Sequence, residues 1–225
     1  MRLFAAVLPP DRVVAELAGV VRPLRELEGG GGGALRWTGE AGWHFTLAFM
    51  GEVDDAVVPE LTGRLARAAY RTEPFSLRVH GSGHFGGRAL WAGAAGGLDA
   101  LRLLAERTDA AARRAGVPME EHRRYQPHLT LARTDRERGD DGAGDGLRPY
   151  VEALAGFEGT PWDVSELALV RSRLPGTAEG AGTGSVGWGP GQVPRYETVA
   201  RCPLGAGPGG PPGEGAAPVR RNLDG

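Results

Sequence analysis

The chain has 225 residues, of which 41% are hydrophobic, and its 26 basic and 28 acidic residues give a net charge of −2. This composition excludes a disordered chain and a nucleic-acid binder that relies on bulk positive charge. The single cysteine, Cys202, excludes an intrachain disulfide and a cysteine-ligated zinc site, which favours a reducing cytoplasm. All the basic residues are arginine, which we interpret as codon bias in a GC-rich bacterial genome.

The hydrophobic pattern predicts strands that alternate with helices. The apolar run Leu3–Leu8 is too short for a membrane span and predicts a buried first strand. Apolar residues at helical spacing predict three helices, between Val13 and Leu24, Val57 and Ala68, and Leu101 and Ala115, with Pro23 bending or shortening the first. Six further strands are predicted at Trp43–Phe49, Phe75–Val79, Ala89–Trp91, His128–Ala132, Val164–Val170 and Tyr196–Ala200. The predicted order is β-α-β-α-β-β-α-β-α-β-β, in which the fourth helix has no assigned residues, and the class is α+β.

Glycine-rich segments separate or follow these elements. Gly29–Gly33 and Thr177–Pro194 are predicted loops, and Gly205–Gly225, which is more than half Gly and Pro, is a predicted disordered tail. We therefore expect one ordered domain over residues 1–204 and a tail over residues 205–225.

Two of the predicted strands share a tetrapeptide. His44-Phe45-Thr46-Leu47 and His128-Leu129-Thr130-Leu131 lie 84 residues apart. Because side chains alternate along a strand, each histidine shares a face with its threonine while the apolar residues share the other. Each strand therefore has one face for packing and one for chemistry.

The presence of two copies of the tetrapeptide is stronger evidence for a catalytic site than either copy alone. A lone histidine on a strand is usually structural, but two such strands paired at the centre of a sheet would oppose two imidazoles across a cleft. One imidazole can accept a proton while the other donates one, and the two threonine hydroxyls can hold non-bridging phosphate oxygens. Displacement at phosphorus needs a base to activate water and an acid to protonate the leaving oxygen, and this arrangement supplies both without a metal or cofactor. The predicted catalytic residues are His44, His128, Thr46 and Thr130.

Further segments carry a family resemblance over about residues 1–204. They are Arg2–Ala6, Leu35–Trp37, Trp43–Val53, Gly83–Phe85, Arg88–Trp91, Tyr125–Arg133, Leu169–Leu174 and Tyr196–Val199. With the two tetrapeptides, they resemble the two-histidine phosphoesterases, specifically the RNA 2′,3′-cyclic phosphodiesterases, also called the 2′-5′ RNA ligase family.

The resemblance implies two pseudo-symmetric lobes of antiparallel sheet with outer helices around a central cleft. It also implies hydrolysis of an RNA 2′,3′-cyclic phosphate to a 2′-phosphate, with His44 as proton donor to the 3′ oxygen and His128 as acceptor from water. Phe85 is a candidate for stacking on a base, and Arg133, Arg171 and Ser172 are candidates for binding substrate. Arg133 lies at odd spacing from His128, so that only a strand end or a bulge would bring it to the same face.

The expected partner is RNA with a cyclic phosphate end, tRNA fragments among the candidates, and we expect a cytoplasmic monomer. Two alternatives remain open. One is a phosphodiesterase of this family acting on a small cyclic nucleotide or an ADP-ribose-type cyclic phosphate. The other is a non-catalytic RNA-end binder. Ligation at 2′-5′ bonds is plausible as the reverse reaction.

Overall fold

The structure is a computed structural model that describes residues 1–26, 35–120, 125–134, 145–173 and 194–205. Four α-helices and nine strands lie within these ranges. The helices are α1 (Asp11–Glu26), α2 (Val58–Tyr70), α3 (Leu98–Arg114) and α4 (Arg148–Leu154). The strands are β1 (Arg2–Val7), β2 (Leu35–Trp37), β3 (Phe45–Glu52), β4 (Phe75–Phe85), β5 (Ala89–Gly96), β6 (Leu129–Thr134), β7 (Trp162–Val164), β8 (Glu166–Arg173) and β9 (Arg195–Pro203).

The strands form one curled antiparallel sheet in the order β7-β4-β5-β6-β3-β1-β8-β9, with β2 paired to β6. The sheet has two halves, β3-β1-β8-β9 and β7-β4-β5-β6. The described register between the halves consists of one residue pair, Phe45 opposite Leu129. Each member of this pair directly follows one of the repeated histidines, so a local two-fold axis passes through it.

The main core lies between one face of the sheet and the helices. Apolar residues on the buried sides of α1, α2 and α3, such as Leu17, Leu65 and Leu104, join Phe45 and Leu129 in one cluster of buried side chains. The opposite sheet face carries a small separate cluster of Phe4, Ala6, Ala168 and Val170. We call the face of this second cluster the open face.

The α+β class and the two-halved antiparallel sheet are confirmed. The predicted strand Val164–Val170 is two strands, since β7 pairs with β4 while β8 pairs with β1. The fourth helix is α4, and α1 continues through Pro23 to Glu26, so Pro23 does not end the helix. Gly29–Gly33 lies outside the described residues, as does Thr177–Pro194 except Pro194 and the predicted tail except Gly205.

Candidate active site

The two histidines occupy equivalent places, one residue before β3 and one before β6. In each, the ring Nδ1 lies 2.8 Å from the carbonyl oxygen of the residue two positions earlier, Gly42 for His44 and Gln126 for His128. A carbonyl can only accept, so Nδ1 carries the proton and donates it. The neutral ring then has its lone pair on Nε2, which fixes the same tautomer twice.

Burial dominates the electrostatics of both rings. It lowers the pKa of His44 to about 4, with smaller contributions from the charges of His128 and Arg133, against the opposing effect of the Gly42 carbonyl. Burial also lowers the pKa of His128, and Arg133 lowers it further. Both imidazoles are therefore neutral near pH 7, and the mutual charge effect means that their titrations are linked.

The threonines lie on the open face. Thr46 is opposite Ala6 of β1, which belongs to the open-face cluster, and Thr130 occupies the matching place opposite Trp91 of β5. Both threonines are partly exposed. The hydroxyls of Thr46 and Thr130 therefore both lie on the open face of the sheet, where a substrate can reach them.

A bulge in each histidine strand changes which residues face the site. In β6 the register passes from Thr130 to Ala132, so Leu131 is the extra residue; in β3 it passes from Thr46 to Ala48 around Leu47. The alternation of side chains reverses beyond such a bulge. Arg133 therefore lies on the face of Thr130 despite its odd spacing from His128.

The electrostatics agree with this placement of Arg133. Its charge lowers the pKa of His44, of His128 and of the Tyr196 phenol, although burial raises the last of these overall. An exposed guanidinium whose field reaches both imidazoles is well placed to hold an anion between them. The bulge that the sequence requires for Arg133 to share a face with His128 is therefore present in β6.

Aromatic rings surround His44. Phe4 stacks on its imidazole with ring centroids 4.5 Å apart, and Tyr196 meets it edge-on at 5.4 Å. These contacts account for the burial that lowers the His44 pKa. Neither residue is among the site residues predicted from the sequence, where the one available signal is that Phe4 and Ala6 alternate away from the core side of β1.

Phe85 lies against the second histidine. Its ring centroid is 4.7 Å from that of His128 in an edge-on arrangement and 5.5 Å from that of Trp91, and 37% of the residue is exposed. The hairpin turn that follows comprises Gly86, Gly87 and Arg88, and both glycines have a positive φ, which glycine adopts without steric cost. The turn therefore holds Phe85 in register with Ala89.

Trp91 covers Gly83 on the neighbouring strand so closely that a Cβ at this position would overlap the indole ring. Trp91 is half-buried and packs on Phe85 on the face of Thr130. Gly83 is thus required for the position of the ring that supports Phe85.

The remaining candidates separate by register. Ser172 is opposite Tyr196, two residues beyond Val170 of the open-face cluster, and so lies on the open face. Arg171 is opposite Leu3 and therefore lies on the core side of β8. The structure does not bring Arg171 onto the face of the two histidines, because adjacent strand residues point to opposite faces.

Metal ligands and membrane spans are not found in the described part of the chain. No three His, Cys, Asp or Glu side chains among the described residues are grouped so that they could hold a metal ion. No described helix has the length and apolar character needed to cross a membrane.

Comparison with known proteins gives concordant results. Residues 9–175 match the model of the 2′-5′ RNA ligase superfamily. The RNA 2′,3′-cyclic phosphodiesterase of Geobacillus stearothermophilus is 31% identical over 195 residues, which are 84% of this chain but 54% of that protein. The chain thus spans about half the length of this relative. The protein of the same name from Thermus thermophilus is 31% identical over 198 residues, covering 77% of this chain and 83% of its own.

Structural similarity extends over most of the chain. The crystal structure of TT0787 from Thermus thermophilus superimposes with a TM-score of 0.65 at 26% identity, covering 91% of this chain and 98% of that one. The family match covers most of the sequence, including both histidine strands. The chain belongs to the 2′-5′ RNA ligase superfamily.

Proposed function

We propose that the protein hydrolyses RNA 2′,3′-cyclic phosphodiester ends to 2′-phosphomonoesters by acid and base catalysis from His44 and His128. The observation that carries the proposal is the matched pair of imidazoles, each with Nδ1 bound to a backbone carbonyl, within the field of one exposed Arg133. The two relatives named RNA 2′,3′-cyclic phosphodiesterase support the same substrate class.

The reaction needs a base that removes a proton from water and an acid that gives a proton to the leaving 3′ oxygen. The Nε2 of one neutral imidazole takes a proton from water as the water oxygen attacks phosphorus. The bond from phosphorus to the 3′ oxygen breaks, and Nε2–H of the other, protonated imidazole gives that oxygen its proton. Arg133 and the hydroxyls of Thr46 and Thr130 donate to the non-bridging oxygens, which gain charge in the transition state.

The lowered pKa values bear on which imidazole is the acid. His44 packs against two aromatic rings and its pKa is lowered to about 4, and burial also lowers the pKa of His128, so neither imidazole holds a proton firmly near pH 7 before substrate binds. The resemblance assigns the acid role to His44. This assignment requires the negative charge of the bound phosphodiester to raise the His44 pKa, as an anion next to an imidazole does.

Phe85 is the proposed platform for the terminal base, since an exposed ring beside the catalytic imidazole suits stacking. Ser172 joins Arg133 as a proposed phosphate contact. We propose that residues 1–204 form the functional unit, that it acts as a monomer in a bacterial cytoplasm, and that tRNA fragments are among its substrates. Ligation at 2′-5′ bonds uses the same step with a 5′ hydroxyl in place of water as the nucleophile, so that the 3′ oxygen again leaves with the donated proton.

The first experiment uses an RNA oligomer with a 2′,3′-cyclic phosphate end in excess EDTA. We expect a 2′-phosphate product, and a loss of several orders of magnitude in kcat for both His44→Ala and His128→Ala. His80→Ala is the matched control, because His80 is an exposed histidine on β4 outside the site. An intact cyclic end with the wild-type protein would refute the proposal. Tight binding of the RNA without turnover would indicate an RNA-end binder instead.

A second experiment identifies the acid. Replacing the 3′ oxygen of the substrate by sulfur gives a leaving group that departs without a proton. The variant that lacks the acid regains much of its rate on this substrate, whereas the variant that lacks the base does not. Recovery by His44→Ala supports the family assignment, and recovery by His128→Ala reverses it.

A further inference from the structure

Phe49 is an exposed aromatic residue on the open face of β3. Half of it, 50%, is accessible, and it lies opposite Phe4, the residue that stacks on His44. The guanidinium carbon of Arg2 lies 4.9 Å from the centroid of the Phe49 ring. Arg2 and Phe49 thus form a cation–aromatic pair on the surface. Phe49 is the cross-strand neighbour of Phe4, which packs on His44.

The bulge at Leu47 explains this exposure. It reverses the side-chain alternation of β3, as the bulge at Leu131 does in β6, so that Phe49 takes the place that corresponds to Arg133. Without the bulge, Phe49 would point into the core. The strand therefore exposes a large apolar side chain beside the site, where burial would otherwise be favoured.

The exposed aromatic residues of the described sheet divide between its two halves. Phe85 lies in one half against His128, and Phe49 lies in the other beside Phe4. Tyr70, also exposed, is on α2. If Phe85 receives the terminal base, a second base can reach Phe49, which is half exposed although Arg2 lies over its ring.

We propose that the Arg2–Phe49 pair binds the nucleotide that precedes the terminal one in an RNA substrate. Phe49 stacks on the base of this nucleotide, and Arg2 pairs with the phosphodiester that joins it to the terminal nucleotide. This site rests on the proposed function and deepens it, because it makes the substrate an oligonucleotide rather than a cyclic mononucleotide. The charge of Arg2 already reaches the site, where it lowers the pKa of Tyr196 against the larger effect of burial.

The test compares two substrates that differ by one nucleotide, adenosine 2′,3′-cyclic phosphate and the ApA dinucleotide with the same end. The measured quantity is the ratio of kcat/KM for the dinucleotide to kcat/KM for the mononucleotide. We expect Phe49→Leu to lower this ratio about tenfold, the effect of losing one base–aromatic stack. Phe49→Trp should retain it, and Arg2→Gln should lower it and weaken the salt dependence of the dinucleotide KM. Tyr70→Leu is the matched control.

An unchanged ratio in Phe49→Leu overturns the second-nucleotide site, whether both rates stay the same or both fall together. Failure of the proposed function has a different signature, since the wild-type protein would then leave both substrates intact. In that event calorimetric binding of the uncleaved dinucleotide decides the matter separately. Weaker binding by Phe49→Leu than by the wild type supports the site, and equal affinities overturn it.

Discussion

Replacing His44 by glutamine should change how the free energy of unfolding depends on pH. The His44 pKa is about 4 in the folded protein, mainly because of burial, against 6.5 for an ordinary histidine. Between these two values the unfolded chain binds a proton at residue 44 that the folded protein does not. Wild-type stability therefore falls as the pH falls through this window, and the loss levels off below pH 4.

The size of the effect follows from the separation of the two pKa values. At 1.36 kcal/mol per pKa unit, the contribution of His44 falls by about 2 kcal/mol between pH 7 and pH 5 and by about 3 kcal/mol by pH 4. A glutamine side chain does not titrate, so His44→Gln lacks this component. The difference in unfolding free energy between the two proteins should change by these amounts across the window.

Urea unfolding followed by tryptophan fluorescence, at half-unit steps from pH 4 to pH 7.5, measures this difference. Subtracting one protein from the other removes the contribution of every shared group whose titration does not depend on residue 44. His80→Gln is the matched control for loss of an exposed imidazole. A wild-type minus His44→Gln difference that is constant with pH would refute the argument, because it would mean that His44 is equally protonated in the folded and unfolded states.

Three further predictions concern the site. First, the pH profile of kcat/KM reports the titration of the free enzyme, in which the pKa values of both imidazoles are lowered. The singly protonated pair is therefore lost as the pH rises, and kcat/KM should begin to fall below pH 6.5. A plateau of kcat/KM up to pH 8 would contradict this. Second, Arg133→Gln should raise the pKa of His44 and of His128, measured by NMR titration of the ring protons, and lower kcat/KM by about 10- to 100-fold through loss of a charged hydrogen bond to phosphate; unmoved titrations would show that Arg133 is remote from the pair. Third, Gly83→Ala should displace the Trp91 indole and destabilise the protein by about 1–3 kcal/mol, with a change in tryptophan fluorescence, whereas an unshifted spectrum at full stability would exclude the overlap.

Local pattern was sufficient to predict the two histidine strands. Period-two alternation gave the faces of His44, Thr46, His128 and Thr130 correctly, because each motif precedes the bulge in its strand. It failed for residues beyond the bulge, of which Arg133 is the example. A bulge is a property of the register with the neighbouring strand, and nothing in a single strand's sequence specifies it.

The aromatic surroundings were harder to predict. Phe4 and Tyr196 are nearly 200 residues apart in the chain, and they meet at His44 because β1, β8 and β9 are neighbours in the sheet. The fourth helix was expected without a position, since seven residues with a proline near the start carry little periodic signal. The family resemblance names Arg171 and Ser172 together, but the two are neighbours on β8 and their side chains lie on opposite faces of the sheet.

The local two-fold axis between Phe45 and Leu129 has a consequence for chemical direction. Two imidazoles related by such an axis would be interchangeable if their neighbours were also equivalent, and a symmetric pair cannot prefer one direction of proton movement. The asymmetry therefore resides in unlike residues at matching register positions. These pairs are Phe4 and Ala89, Ala6 and Trp91, and Phe49 and Arg133. Exchanging these residues between the halves, with both histidine motifs unchanged, would test whether the acid and base roles of the two histidines can be exchanged.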